Sequence, residues 1–449
     1  MKDRTNQAKP AGVPEEAKQA GEQPVSLRKG MTLESSAVWT PRMLETLERG
    51  IKGGKWYSLI DKVWSPTTLR MAAWSVIRKK GGAGIDHQTT EQLEQRLEEE
   101  VEMLSRQIQK NTYQPKPVKR VWIDKPGSPE KRPLGVPVVR DRTVQGACRA
   151  VIEPIFEHQF SEHSYGFRPD RSPQQAIERV EQLLEAGHGV VVDADIQKCF
   201  DDIPQEGILA RVAQKISDGR ILALIESFLK QGVMDTIKGW QPTDKGTPQG
   251  AVLSPLLANI YLDSLDHLMA QNGYEMVRYA DDFIVLTRSQ EEAQKALELI
   301  GAWMEQAGLT LHPTKTRIVD VRQRGGFDFL GWHFERGLKW PREKSVNRLK
   351  ASLRDLTPRN CGQRLECVIV RINRRLRGWA GYFNAGVNNV YVELDKWLRM
   401  RMRSILRRRA KRKGRGRGRD HQRYPNAYFA ERGLISLEAL IRAKRSSPA

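Results

Sequence analysis

Met276-Val277-Arg278-Tyr279-Ala280-Asp281-Asp282-Phe283-Ile284-Val285-Leu286 is the stretch on which the fold turns. Two short apolar runs flank a pair of adjacent acids, the pattern of strand, tight turn, strand with the acids at the turn. Consecutive strand residues point to opposite faces, but a hairpin tip lets Asp281 and Asp282 both sit near its end. A carboxylate pair fed by a third acid from another strand can hold two Mg²⁺ ions for phosphoryl or nucleotidyl transfer. Ala-Asp-Asp also suits any polar turn, so the choice rests on the rest of the chain.

A second source of carboxylates lies upstream. Gly189-Val190-Val191-Val192-Asp193-Ala194-Asp195-Ile196 is a buried strand ending in acids, and Phe200-Asp201-Asp202-Ile203-Pro204 follows it. Asp193 and Asp195 share one strand face, whereas Asp201 and Asp202 suit a helix start. Before this strand, Ser172-Pro173 is an N-cap followed by proline at the first helical position, and Gly187 closes the helix. After the acidic hairpin come a helix over residues 290–307 and a strand pair, residues 309–311 and 317–319, around His312-Pro313-Thr314-Lys315. Strand, helix, hairpin, helix, strand is a split βαβ arrangement of an α+β protein, with helices on one face. It sets the Asp195 strand beside the Asp281-Asp282 strands.

The chain has 449 residues, enough for two or three domains. Its 75 Lys and Arg against 54 Asp and Glu give a net charge of +21, which predicts a polyanionic partner bound through phosphates. The four cysteines form no CxxC pair, so zinc and disulfide frameworks are excluded and a reducing compartment is expected. The apolar stretch 251–262 is too short to span a bilayer, and no membrane segment is expected. Residues 1–30 lack both an apolar core and a leader pattern and suit a flexible tail.

Residues 41–49 and 90–109 carry helical spacing, the latter with Leu93, Leu97, Val101 and Leu104. Residues 118–137 alternate around a Pro-Gly turn, a hairpin with Lys125, Lys131 and Arg132 near its tip; it would serve either to close over a triphosphate or as a solvated loop. Gly246-Thr247-Pro248-Gln249-Gly250 leaves its backbone open beside Gln249 and feeds an apolar helix. Residues 325–334 suit a short hairpin. Residues 399–419 hold twelve Lys or Arg and no acid, the composition of a phosphate-binding arm instead of a mixed-sign helix face.

In combination these stretches resemble the bacterial group II intron reverse transcriptase and maturase family. Tyr279-Ala280-Asp281-Asp282 is similar to its YADD box, Asp195-Ile196 with Phe200-Asp201 to its first palm motif, and Thr247-Pro248-Gln249-Gly250 with Leu253-Ser254-Pro255 to its template contact. Lys131-Arg132-Pro133-Leu134-Gly135-Val136-Pro137 resembles the fingers, Tyr165-Gly166-Phe167-Arg168-Pro169 the next block, and Phe329-Leu330-Gly331 the primer grip. Arg377-Gly378-Trp379-Ala380-Gly381-Tyr382-Phe383 is similar to the maturase thumb.

The resemblance implies a right-hand fold. It expects a flexible tail (1–40), extension and fingers (41–188), palm (189–336), thumb or X domain (337–398) and a basic DNA-binding segment (399–449). It implies that Asp195, Asp281 and Asp282, with the Ile196 carbonyl, ligate two Mg²⁺. Lys125 and Arg132 would brace the incoming deoxynucleoside triphosphate, and Lys315 would protonate the leaving pyrophosphate. Phe200 would be the gate against a ribose 2′-hydroxyl, and Gln249 a nucleotide contact. Arg377, Trp379, Arg407, Arg408, Arg409, Lys411, Arg412 and Lys413 would meet intron RNA, the DNA target and the primer in a cytoplasmic setting. With His421 and no paired cysteines, no HNH endonuclease is expected. The rival readings are a free-standing relative used in defence or repair, a splicing cofactor that polymerises nothing, and an RNA-making polymerase, the last disfavoured by Phe200.

Overall fold

In the computed structural model, residues 32–446 are described, apart from 52, 125–130, 236, 413 and 417. The tail up to residue 31, Lys125 and Lys413 lie outside the described residues. At the centre is a four-stranded sheet ordered Glu275–Tyr279, Asp282–Thr287, Val190–Asp195, Arg317–Asp320, antiparallel throughout. The Asp195 strand and the Asp282 strand are therefore hydrogen-bonded neighbours, as the split βαβ pattern predicts.

Alternation along the strands divides the apolar residues between two cores. Val190, Val192, Ala194, Phe283 and Val285 pack against helices Ser254–Gln271 and Gln290–Gln306. Val191, Val277, Ile284 and Leu286 face helix Pro173–Glu185 and the ring cluster Phe327, Phe329, Trp332 and Phe334. Both faces are thus covered, where helices on one face were expected. The reason is the stripe Ala176, Ile177, Val180 and Leu183, whose i, i+1, i+4, i+7 spacing needs an apolar surface of its own.

Three further expectations change. Residues 309–311 and 317–319 do not pair with each other. Arg317–Asp320 bonds along Val190–Asp193, and Leu311 bridges Ile196, so both arms add to the same strand. The turn between them is held by Thr316 N–H donating to the His312 carbonyl at 3.0 Å, and the open edge of the central strand supplies more ladder bonds than a two-stranded ribbon could. The helix over 90–109 is two helices, Thr90–Gln95 and Leu97–Gln109, broken where Arg96 leaves helical geometry at φ −121° and ψ 28°. Its apolar stripe is nonetheless buried. Order begins before residue 41: helix Leu33–Val38 brings in Trp39, whose indole N–H donates to the Val151 carbonyl at 3.2 Å.

Strands Val118–Asp124 and Lys131–Val136 form the expected hairpin. Beyond the central sheet, Phe327–Phe329, Trp332–Glu335 and Leu338–Pro341 make a three-stranded meander, so the hairpin gains a third strand past residue 336 at the Arg336-Gly337 turn, where both φ angles are positive. Helices Glu343–Leu356, Leu365–Tyr382 and Asn388–Arg409 enclose a separate core that includes Ile372, Tyr391, Met402 and Ile405. No break falls at residue 399, because Leu398, Met402, Ile405 and Leu406 carry one apolar stripe through the arginine run.

Candidate active site

Strand register brings the acids together. Asp195 lies directly opposite Asp282, and Tyr279 pairs with Asp282 across the hairpin, leaving Ala280 and Asp281 as a two-residue turn. Ala280 has φ +61°, a left-handed conformation rare for alanine. Something must hold it there, and Arg278 does so. Its guanidinium is fully buried, donates to both carboxylate oxygens of Asp266 and to Asn259 Oδ1, and reaches the Ala280 carbonyl at 3.0 Å. From the other side Gly166 presses against the turn: a Cβ there would lie 2.3 Å from the Ala280 nitrogen. Asn259 ties the two supports, donating to the Gly166 carbonyl at 2.8 Å. Asp266 and Asn259 were not singled out from the sequence, and Arg278 was quoted only as a neighbour. The available signal was an arginine placed in an apolar strand, which burial allows only with a partner.

The charges are crowded. Burial, then Asp193, Asp281 and Asp195, push the Asp282 carboxyl up to about 7. Burial and Asp195 also raise Asp281, opposed by Arg132 and Lys315. Asp193 is raised by burial and countered by Arg317, whose Nε is 3.3 Å away. The Lys315 ammonium rests on Asp195 Oδ2, while the Ile196 backbone is held between Gln197 N–H to Thr310 O and His312 N–H to Asp195 O. Neither bond uses the Ile196 carbonyl. Among the described residues no three carboxylate, imidazole or thiolate groups already converge on one point. Hard oxygen donors on one rim, two of them raised by burial and then by their neighbours' charge, nevertheless form a donor set suited to Mg²⁺.

Next to the acids lies a pocket lined by Arg120, Pro133, Phe200, Asp201 and the loop from Lys245 to Gln249. Thr247 N–H donates to the Phe200 carbonyl at 2.7 Å, and Gly246, at φ +77°, passes so close that a Cβ would meet that carbonyl at 2.7 Å. The loop therefore clamps Phe200. The backbone beside Gln249 is not open: its carbonyl accepts from Gly135 N–H at 2.7 Å, and its amide reaches Asp201 at 3.2 Å. A ladder-edge donor on the fingers strand takes up the carbonyl that the loop leaves over. Arg132 is exposed on the hairpin above the acids, near enough to lower Asp281.

On the other side of Asp282 a cleft is lined by Leu330, Gly331, Arg342, Arg348, Arg375, Trp379 and Tyr382. The Tyr382 hydroxyl donates to the Leu330 carbonyl at 2.6 Å, joining thumb to hairpin. Trp379 lies against Phe383, ring centres 4.5 Å apart and the planes tilted by 33°, and Arg377 is exposed. The arginine run proves to be partly internal. Arg407 pairs with buried Asp420 at 2.7 Å, Arg409 bonds the Cys361 carbonyl at 3.3 Å, and buried Arg403 bonds the Tyr424 carbonyl at 2.8 Å. Arg403 and Arg409 satisfy loop carbonyls and Arg407 a buried carboxylate, so these parts of the run are no free arm. Arg408, Lys411 and Arg412 are exposed.

Residues 123–334 match the family described as reverse transcriptase (RNA-dependent DNA polymerase), and residues 346–424 match the group II intron maturase-specific domain. Protein YkfC of Escherichia coli is 33% identical over 315 residues, 61% of this chain and 81% of that protein. The group II intron-encoded protein LtrA of Lactococcus lactis is 40% identical over 176 residues, 39% of this chain and 29% of LtrA. A 91 kDa protein in the cob intron of Schizosaccharomyces pombe is 32% identical over 263 residues, 45% of this chain and 32% of that protein. No helix among the described residues is long and apolar enough to cross a membrane.

Proposed function

We propose a mechanism from one premise: this chain belongs to the group II intron-encoded reverse transcriptase and maturase family and is an RNA-directed DNA polymerase. Polymerases of this kind use divalent metal ions. In our reading Asp195, Asp281 and Asp282, with the Ile196 carbonyl, hold two Mg²⁺. Bound there, the ions supply a lowered pKa at the primer 3′-hydroxyl and charge neutralisation at the triphosphate. The observation that carries this reading is the register: Asp195 opposite Asp282, with Asp281 in the two-residue turn.

The chain's own groups do the rest. Arg132, with Lys125, braces the triphosphate from above and so fixes the α-phosphate in line with the primer. Phe200, clamped by the Thr247 loop, fills the space of a 2′-hydroxyl and selects deoxynucleotides. Gln249 lies along the same wall, against the nascent base pair. Lys315 gives its proton to the departing pyrophosphate. The cleft between Asp282 and Trp379 takes the primer end, and Arg377, Arg408, Lys411, Arg412 and Lys413 meet phosphates. Arg407 and Arg409, held by their loop partners, shape that surface. Palm, fingers, thumb and basic segment would divide the work as polymerase, nucleotide closure, duplex grip and target contact.

At the level of biology, the protein binds its own intron RNA, assists splicing and copies that RNA at a DNA target, in the bacterial cytoplasm and on the nucleoid. The test is a pair of assays on the purified protein: primer extension on an RNA template with deoxynucleotides or ribonucleotides, and splicing of the intron that flanks its reading frame. Deoxynucleotide-only synthesis together with protein-dependent splicing is expected. Synthesis without any effect on splicing would leave a free-standing reverse transcriptase.

A further inference from the structure

The loop that carries Gly246 and Thr247 has little apolar surface to hold it. Between Trp240 and Ala251 the sequence offers no apolar side chain beyond Pro242 and Pro248. Hydrogen bonds must therefore fix it, and several run to the segment that carries Phe200. Gly246 N–H donates to the Ile203 carbonyl at 2.8 Å and Thr247 N–H to the Phe200 carbonyl at 2.7 Å. The Gln249 amide reaches Asp201 at 3.2 Å, and Lys245 pairs with Asp202 at 2.7 Å. Phe200 and the loop are thus one unit, and moving the loop moves the ring.

Gln205 anchors that unit to the core. It opens helix Gln205–Ala213, directly after Pro204, and is 5% exposed. Its side-chain nitrogen lies 3.0 Å from the Leu229 carbonyl, 3.2 Å from the Thr243 carbonyl and 3.1 Å from the Gly246 carbonyl. Three carbonyls around one atom require the N–H pair of the amide there, since an oxygen would face only other acceptors. Leu229 ends helix Gly219–Leu229, where a carbonyl has no donor within its own helix. The Thr243 hydroxyl donates to the same carbonyl at 2.8 Å. One amide therefore fastens the loop at two points, Thr243 and Gly246, to a helix end whose side chain is buried in the main core. Burying an amide is costly unless it is paired, and what this one returns is position.

We infer that Gln205 is a positioning residue for sugar selection: through the Thr243–Gly246 loop it holds the Phe200 ring in the space that a ribose 2′-hydroxyl would need. This rests on the reading of Phe200 as the gate. Gln205 does not itself line the pocket beside Phe200, so it acts through the loop alone. Without its amide the loop keeps its bonds to the Phe200 segment, and only the Thr243 hydroxyl still ties it to Leu229. Loop and ring then shift together and the wall yields. A change in a pocket wall by the size of one methylene alters discrimination by about 10–200-fold.

The test is single-nucleotide extension of a primer on an RNA template by the full chain, with a deoxynucleoside triphosphate and with its ribonucleoside counterpart, giving kcat/KM for each. Gln205→Met fills the same length without a donor, and Gln205→His restores a ring N–H at the same reach. The ratio of deoxy to ribo efficiency should fall at least about tenfold in Gln205→Met, chiefly because ribonucleotide use rises, and return to within about threefold of the unaltered protein in Gln205→His. Phe200→Ala should lower the ratio by itself, and adding Gln205→Met to it should change little more, since both act through one ring. Thr243→Val, which removes the other tie to Leu229, gives the same direction should Gln205→Met fail to fold. An unchanged ratio in Gln205→Met beside a lowered one in Phe200→Ala would overturn the inference. So would equal loss of both efficiencies, or a loss that multiplies in full with that of Phe200→Ala. Were Phe200→Ala itself to leave the ratio unchanged, the gate reading would fall and this inference with it.

Discussion

Arg278→Met removes the fully buried guanidinium behind the Ala280-Asp281 turn. Asp266, 4% exposed, would keep its charge with no partner, Asn259 Oδ1 would lose a donor at 3.0 Å, and the Ala280 carbonyl would lose the bond that holds φ at +61°. Breaking a buried pair from one side costs about 3–5 kcal/mol, because the remaining charge is left desolvated. Removing both charges together costs much less, since methionine and leucine fill similar volume without that penalty. Urea unfolding of Arg278→Met, Asp266→Leu and the double variant therefore forms a cycle in which the two single losses do not add. The double variant should recover most of the stability and little of the activity, since the Ala280 carbonyl then lacks the guanidinium that holds it. In primer extension kcat should fall with KM for the nucleotide nearly unchanged. A loss below about 1 kcal/mol in Arg278→Met, or strictly additive losses, would refute the assignment of Arg278 as the support of the turn.

Gly166→Ala places a Cβ 2.3 Å from the Ala280 nitrogen, against backbone that has no room to move; a stability loss of about 1–3 kcal/mol with a larger loss of extension rate is expected from melting and turnover measured together. Lys315→Met takes the ammonium off Asp195. Metal affinity read by Tb³⁺ luminescence should rise while turnover falls, and unchanged affinity would count against Lys315 as counter-cation. For pH, Asp282 is raised from 3.8 to about 7. A carboxyl with a raised folded-state pKa adds stability when protonated and loses it as pH climbs, so metal-free protein should melt lower with each step from pH 4 towards 7. Saturating Mg²⁺ should flatten that decline, measured by differential scanning calorimetry.

The strands around the acids were legible because a buried sheet obeys a period of two. Val190, Val192 and Ala194 alternate with Val191, Asp193 and Asp195, and the turn is marked by its acids. The sequence pattern could not show what holds the turn, because Arg278, Asn259, Asp266 and Gly166 come from three separate segments and meet only through tertiary packing. Pairing partners were also hidden. The stretches 309–311 and 317–319 look like a hairpin locally, and only the open edge of Val190–Asp195 decides otherwise. In the basic run, composition gave the charge but not its direction. Arg403 and Arg407 point inward because Asp420, Tyr424 and Asn426 return to meet them from later in the chain. The third strand, Leu338–Pro341, carries only four residues, too few for a period to declare itself.

The central claim is that Asp195 and Asp282 on adjacent strands, with Asp281 in the turn, carry polymerisation while other surfaces carry RNA. Asp281→Asn tests it most directly, with RNA-templated extension and RNA binding measured on the same preparation. The account predicts cDNA synthesis reduced to background and RNA affinity retained within about threefold, since a single neutralised acid in the palm touches no phosphate-binding side chain. Extension that persists in the variant, or RNA binding that collapses with it, would contradict the account.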